Sequence, residues 1–220
     1  MMKVGSSDLG PISFITFNYD LCLDYMLYRH RERIDYCFDD QSGGGMAVMK
    51  LHGSVNWGRC AGCKTVLPWT LPDFFQKISW SNALLFQKVE SVSLDVGAKI
   101  TARVHCAGHA NDPVIVPPTW NKAEYQQIAN VWKHAGLHLA EAENIIVIGY
   151  SLPETDQFFR YLFALGTIGD ARPQRFWVVD PDTKVGERFR ALLGPAFRTR
   201  FRHYKKKFSE AIGELESTLS

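Results

Sequence analysis

The chain has 220 residues, 46% hydrophobic and 22% charged, with a net charge of +2, a composition ordinary for a globular protein and long enough to bury a core, which excludes a disordered chain, a collagen and a coiled coil. No stretch approaches the ~20 uninterrupted apolar residues that span a bilayer, so no membrane partner is expected. The opening MMKVGSSDLG has one Lys and no apolar run of a secretory signal, and the location read from it is cytoplasmic.

In chain order, ISFITF (12–17) is β-branched and aromatic and predicts a buried strand, ended by Asn18-Tyr19-Asp20. Residues 21–34 carry apolar groups at helical spacing, with Asp20 placed to cap them and Cys22 read as a buried core thiol. A Gly-rich turn at 41–45 precedes a second strand, MAVMKLHG (46–53). Residues 59–109 hold a CxxC, the aromatic stretch WTLPDFFQKISW and an alternating segment near 98–106 that predicts a strand. PVIVPP (113–118) predicts a third strand, 121–143 a helix, 144–151 a fourth strand and 154–168 a helix. RFWVVDPD (175–182) predicts a fifth strand and 184–193 a helix.

Strands apolar on both faces and alternating with helices predict an α/β fold with a parallel sheet covered on both sides. Ligands of such sheets bind at the carboxyl ends of the strands. Four predicted strands end there in polar or Gly-containing tips: Asn18/Asp20, His52/Gly53, Gly149/Ser151 and Asp180/Asp182. One shared cleft is the expectation.

Each tip has a bland and a sharp reading. Asp20 is as well explained by a helix cap; His52, a neutral imidazole before a Gly, suits a base near neutral pH. Gly149-Tyr150-Ser151 followed by Thr155-Asp156 is either ordinary punctuation or a close backbone approach to an anion at a helix start. Asp180 is either turn chemistry or a carboxylate for a ribose hydroxyl.

From Arg188 to Lys207 the chain has eight Lys/Arg and no acid. The favoured reading is the solvated face of a C-terminal helix with Phe189, Leu192, Leu193, Phe197 and Phe201 facing the core, so a nucleic-acid partner is not expected. Five cysteines without an export signal argue against disulfides. Cys60-x2-Cys63 and Cys106-x2-His109 are two tight chelating turns 42 residues apart that suit a tetrahedral zinc, with His105 a rival to His109 as the fourth ligand.

The ordered motifs FITFNYD (14–20), KLHGSVNW (50–57), CAGC (60–63), CAGH (106–109), PVIVPP (113–118), VIGYSLPETD (147–156) and WVVDPD (177–182) resemble the sirtuin family, and more closely its divergent bacterial sirtuin-like, NAD-hydrolase-type branch. The resemblance implies a Rossmann-like NAD-binding domain (1–58 and 110–220) with an inserted zinc module (59–109). It implies His52, Asn18 and Asp20 as catalytic residues and Asn18, Asp20, Gly149, Tyr150, Ser151 and Asp180 as contacts to NAD. Cys60, Cys63, Cys106 and His109 would hold structural zinc, His109 standing where sirtuins have a fourth Cys. The family's first strand and Gly-Ala-Gly phosphate loop have no counterpart in VGSSDLG. The fold expected therefore lacks that strand and loop, and NAD cleavage by this form is expected to be weak or absent.

The activity implied is cleavage of NAD to nicotinamide and ADP-ribose, with defence against phage as its setting. The alternatives are an NAD-dependent protein deacylase and a non-catalytic zinc-stabilised nucleotide-binding or interaction module. NAD is the expected partner, with a homo-oligomer or a defence-system protein beside it.

Overall fold

The computed structural model of the protein describes residues 11–40, 44–69, 104–106, 108–117, 126, 128–154, 156–166, 173–193, 197 and 199–219. The aromatic stretch beyond Trp69, most of the strand expected near 98–106 and residues 121–125 of the expected helix lie outside these. The chain divides into one compact unit at Ile12–His134 and another containing Ala135–Ser220.

In the first unit, β1 (Ser13–Thr16), β2 (Ile34–Asp35) and β3 (Met46–Lys50) form a parallel sheet in the order β1-β3-β2. The register sets Ser13 opposite Ala47 and Thr16 opposite Lys50. Helix α1 (Cys22–Arg29) makes the crossover from β1 to β2. Its start is fixed by the Asp20 carboxylate, which accepts the Cys22 amide at 2.8 Å. Cys22 itself is exposed, not the core thiol the sequence predicts; the buried cysteine on this side is Cys37.

The helix stops at Arg29 rather than running to residue 34. Arg31 takes φ 61, its amide bonds the Tyr28 carbonyl, and the Glu32 amide reaches back to Leu27, both at 3.0 Å. This paired closure with a left-handed residue ends a helix even without glycine, and it frees Ile34 and Asp35 to pair with β3.

A second sheet is antiparallel, in the order β5-β4-β7-β6: β4 (Gly53–Cys60), β5 (Val66–Pro68), β6 (Val104–His105) and β7 (Gly108–Ile115). Here the structure corrects the sequence reading, in which residues 113–118 were a further parallel strand. Val114 and Ile115 instead lie antiparallel to Ser54 and Gly53. Gly53 makes the abrupt exit from β3 into β4. It has φ +76, and a Cβ there would stand 2.0 Å from the Val114 carbonyl oxygen.

Helix α2 (Ala129–Glu141) leads out of the first unit. In the second, β8 (Asn144–Ile148), β9 (Arg175–Val179) and β10 (Phe201–Tyr204) form a parallel sheet with β9 central. Helices α3 (Gln157–Gly166), α4 (Thr183–Leu193) and α5 (Phe208–Leu219) alternate with these strands. Trp177, Val179 and Tyr204 pack with Ala211 and Leu215 of α5 in a buried cluster. Asp156 caps α3 through the Phe159 amide at 3.3 Å, and Asp182 caps α4 through the Lys184 amide at 2.9 Å.

The basic stretch is not one helical face. Phe189 and Leu193 are buried on α4, but Phe201 belongs to β10 and its backbone pairs with Phe176. Arg190 and Arg202 stack on the rings of Phe201 and Tyr204. The βαβ succession and the parallel sheets make the fold α/β, as the sequence predicts. Among the described residues no helix is long and apolar enough to cross a membrane.

Gly53→Ala is expected to cost ~2 kcal/mol or more in denaturant unfolding, because strain in the left-handed region adds to a collision with backbone. Gly149→Ala is the contrast: its φ is +64 but nothing lies within 4 Å of the added methyl, so only the backbone term of ~1 kcal/mol remains. Equal losses at the two positions would contradict this account.

Candidate active site and metal centre

The parallel pairing of β1 and β3 places Asn18, Asp20 and His52 beyond the carboxyl ends of two adjacent strands, the position at which ligands bind in α/β sheets. The turn after β1 is held by several bonds. The Asn18 amide donates to the Thr16 hydroxyl at 3.1 Å, and the Tyr19 carbonyl accepts the Val55 amide at 3.0 Å.

The His52 segment is clamped through its backbone. The Leu51 amide bonds the Thr16 carbonyl, the Leu51 carbonyl accepts the Trp132 indole N–H, and the His52 carbonyl accepts the Val116 amide, at 2.9, 3.1 and 2.9 Å. The His52 ring lies 5.4 Å, centroid to centroid, from that of Phe17. An imidazole mounted in this way has little freedom to lose when it engages a substrate.

Beneath these tips lies a buried polar chain that the sequence reading missed. Lys50 and Asp24 are 1% and 0% exposed and pair at 2.7 Å. The Lys50 ammonium also donates to the Asp20 carbonyl. Tyr36 donates its hydroxyl to the other Asp24 oxygen, and Asn56 donates to the Tyr36 oxygen at 3.0 Å. Burial pulls the Lys50 ammonium below the ordinary lysine range against the opposing pull of Asp24, while burial and then Asp24 push the Tyr36 phenol well up. The only signal in the sequence was a lysine inside an apolar strand run.

Gly149, Tyr150, Ser151 and Asp180 lie in the second unit, beyond the ends of the adjacent strands β8 and β9. Gly149 takes φ 64 and its amide bonds the Val179 carbonyl at 3.2 Å. The Tyr150 hydroxyl donates to Asp156 at 2.6 Å, so that pair serves the α3 cap. The Ser151 carbonyl accepts from Arg188 at 2.8 Å, an arginine the sequence reading left among solvated charges. The Asp180 carboxylate accepts the Asp182 amide at 2.8 Å, which is the turn chemistry weighed for it.

At the other end of β4, Cys60, Cys63, His105 and Cys106 bring one ligand atom each to within 4.8 Å of one another. Cys60 and Cys106 sulfurs are 3.4 Å apart, as are Cys63 sulfur and His105 Nδ1. Zinc bonds of ~2.0–2.3 Å in a tetrahedron require edges of roughly 3.5–3.8 Å, so the group is already near zinc geometry. Among the described residues the histidine in it is His105, the rival weighed against His109; His109 falls in β7, and its side chain is outside the described residues. An amide from Cys63 and then His105 draw the Cys60 thiol down to about 6, and the same thiols raise His105.

No family model matches the chain, and no curated protein matches it. Solved structures do. A mutant Sir2 homologue in complex with 2'-O-acetyl ADP-ribose is 19% identical over 94% of this chain and 59% of its own, with a TM-score of 0.40. Sir2Tm bound to a propionylated peptide is 16% identical over 90% of this chain and 70% of its own, at 0.38. A Sir2 homologue–NAD complex is 19% identical over 88% and 62%, at 0.37. The chain thus spans about three-fifths of the first of these structures.

One zinc per chain is expected by metal analysis. His105→Ala should abolish binding and His109→Ala should leave it. Ligand thiols must be deprotonated to bind, and the Cys60 thiol titrates at about 6. Zinc should therefore be held at neutral pH and released only at more acid pH than that, because the bound metal competes with the proton for the thiolate. A melting temperature indifferent to chelator at pH 7 would contradict a structural metal.

Proposed function

We propose that this chain carries the residues for binding NAD and hydrolysing it to nicotinamide and ADP-ribose, at a slow rate in this form. The observation that carries this reading is the mounting of Asn18, Asp20 and His52 on the ends of two neighbouring parallel strands. The sirtuin-like motifs FNYD and KLHG supply those same residues. The likeness to Sir2 structures is compatible with it but does not bear its weight.

In the reaction the bond from ribose C1′ to the nicotinamide nitrogen breaks, and the bonding pair leaves with nicotinamide. Water oxygen bonds to C1′, and the proton it loses passes to solvent. His52 takes that proton, or orders the ribose hydroxyls beside it, in its neutral form. Asn18 has both a donor and an acceptor, the complement of a carboxamide, and holds the nicotinamide end. Asp20 accepts the Cys22 amide with one carboxylate oxygen and stands with Asn18 at the nicotinamide end. The support for Gly149, Tyr150, Ser151 and Asp180 as NAD contacts is the sirtuin-like character of the second unit's own motifs, VIGYSLPETD and WVVDPD.

The zinc site stands apart from this chemistry. Seven residue steps along β4, at ~3.3 Å each, separate Cys60 from Gly53 by at most roughly 23 Å. Its role is to hold the antiparallel sheet, and the inserted module proposed for 59–109 is built around it. The setting, defence against phage with a partner protein or a second copy, belongs to the same proposal.

The test is nicotinamide release, followed at high NAD so that weak binding does not hide turnover. His52→Ala should lower the rate ~10²–10⁴-fold; Asn18→Ala should do likewise by misplacing the leaving group. Cys22→Ala, on the exposed side of α1, should leave it nearly intact. Release that requires an acetylated peptide would replace hydrolysis by deacylation. Bound NAD with no release would make the chain a non-catalytic module.

A further inference from the structure

The structure assigns Lys50 as a positioning residue, on the reading of the β1 and β3 tips as the NAD-cleaving site: its buried ammonium holds the Asp20 carbonyl and so sets where the Asn18–Asp20 turn stands relative to His52.

Lys50 is the last residue of β3 and lies two before His52. It is opposite Thr16, the last residue of β1. From that place its ammonium makes two bonds, to Asp24 at 2.7 Å and to the Asp20 carbonyl. The first bond is a poor source of stability by itself, since two charges removed from water recover little more than they lose and an apolar pair of similar size often serves as well. An apolar pair cannot hold a carbonyl.

The Asp20 peptide is where this matters. Its side chain starts α1 and its carbonyl is gripped by Lys50. The preceding residue, Tyr19, is tied to β4 by the Val55 amide. Asp24 cannot follow a wandering lysine, because its second oxygen is taken by the Tyr36 hydroxyl and Tyr36 is in turn held by Asn56. The chain Asn56–Tyr36–Asp24–Lys50 therefore ends on the backbone of the candidate catalytic turn, and Lys50 is its last link.

The experiment compares the parent, Lys50→Met/Asp24→Asn and Tyr36→Phe. The double variant removes both charges and leaves Tyr36 an oxygen to bond; should it not fold, Lys50→Met/Asp24→Leu takes its place. The double variant is expected to melt near the parent, to keep KM for NAD and to lose about 10²-fold in kcat, the cost of small misplacement at a reacting centre. Amide exchange at Cys22 and Val55, which reports the turn, should quicken in it by 10-fold or more (about 1.4 kcal/mol). Tyr36→Phe should melt lower but lose far less kcat, and quicken those amides far less, than the double variant, since it loosens Asp24 and spares the Lys50–Asp20 bond.

Unchanged kcat in the folded double variant would overturn the proposal, and so would an equal loss in Tyr36→Phe, which would mean general loosening. If the parent releases no nicotinamide, the NAD-cleaving reading fails by itself. Exchange at Cys22 and Val55 then decides for Lys50: faster supports the grip on the turn, and unchanged overturns it.

Discussion

A lysine ammonium with 1% exposure, lying against an aspartate with none, is the constraint around which the first unit is arranged. Water solvates such ions far better than any protein interior, so the pair depends on the protein partners that stand in for water. Asp24 is met by Lys50 and Tyr36, and Lys50 by Asp24 and the Asp20 carbonyl. Satisfying these groups requires α1, β3 and the turn after β1 to stand in one arrangement. The short Tyr36–Phe38–Trp57 ring cluster, with centroids 5.3 and 4.6 Å from Trp57, packs beside it. Stability comes from that apolar packing; the ion pair supplies the geometry.

The same segment connects two kinds of chemistry. The chain leaves Lys50, passes Leu51 and His52, turns at Gly53 and runs as β4 to Cys60. One end of the strand is fixed by backbone bonds to β1 and to Val116. The other is fixed by cysteine chemistry, where the turn at Lys64, with φ 64, returns its amide to the Cys60 carbonyl at 2.9 Å. A metal at the far end acts on the candidate site through the rigidity of this strand and of its partner β7, which suits a structural role.

Much of this was legible in the residues. Apolar runs closed by Asn18, His52, Gly149 and Asp180 announce parallel strands with polar tips, because a strand buried on both faces has no reason to alternate. The tight CAGC turn announces one ligand pair, and Cys106 a third ligand. The choice of histidine was not legible, since the β6–β7 hairpin sets Val104 opposite His109 and His105 opposite Gly108, and only the pairing puts His105 beside Cys63. Strand β10 was hidden because Arg202 and His203 interrupt its apolar pattern, and those polar side chains are accommodated by ring stacking and by the Asp180 carbonyl. The end of α1 was hidden because a left-handed Arg31 does the work usually given to glycine. Lys50 was hidden by the general rule that lysines lie outside.

The most direct test of the central claim is a double-mutant cycle on Lys50 and Asp24, read by chemical unfolding. If the pair is a mutually dependent buried unit, Lys50→Met and Asp24→Asn each cost ~3–5 kcal/mol by stranding the partner, while the double variant loses much less than their sum, leaving a coupling of several kcal/mol. Single losses that add, with coupling near zero, would show two charges that reach water independently and would contradict the account.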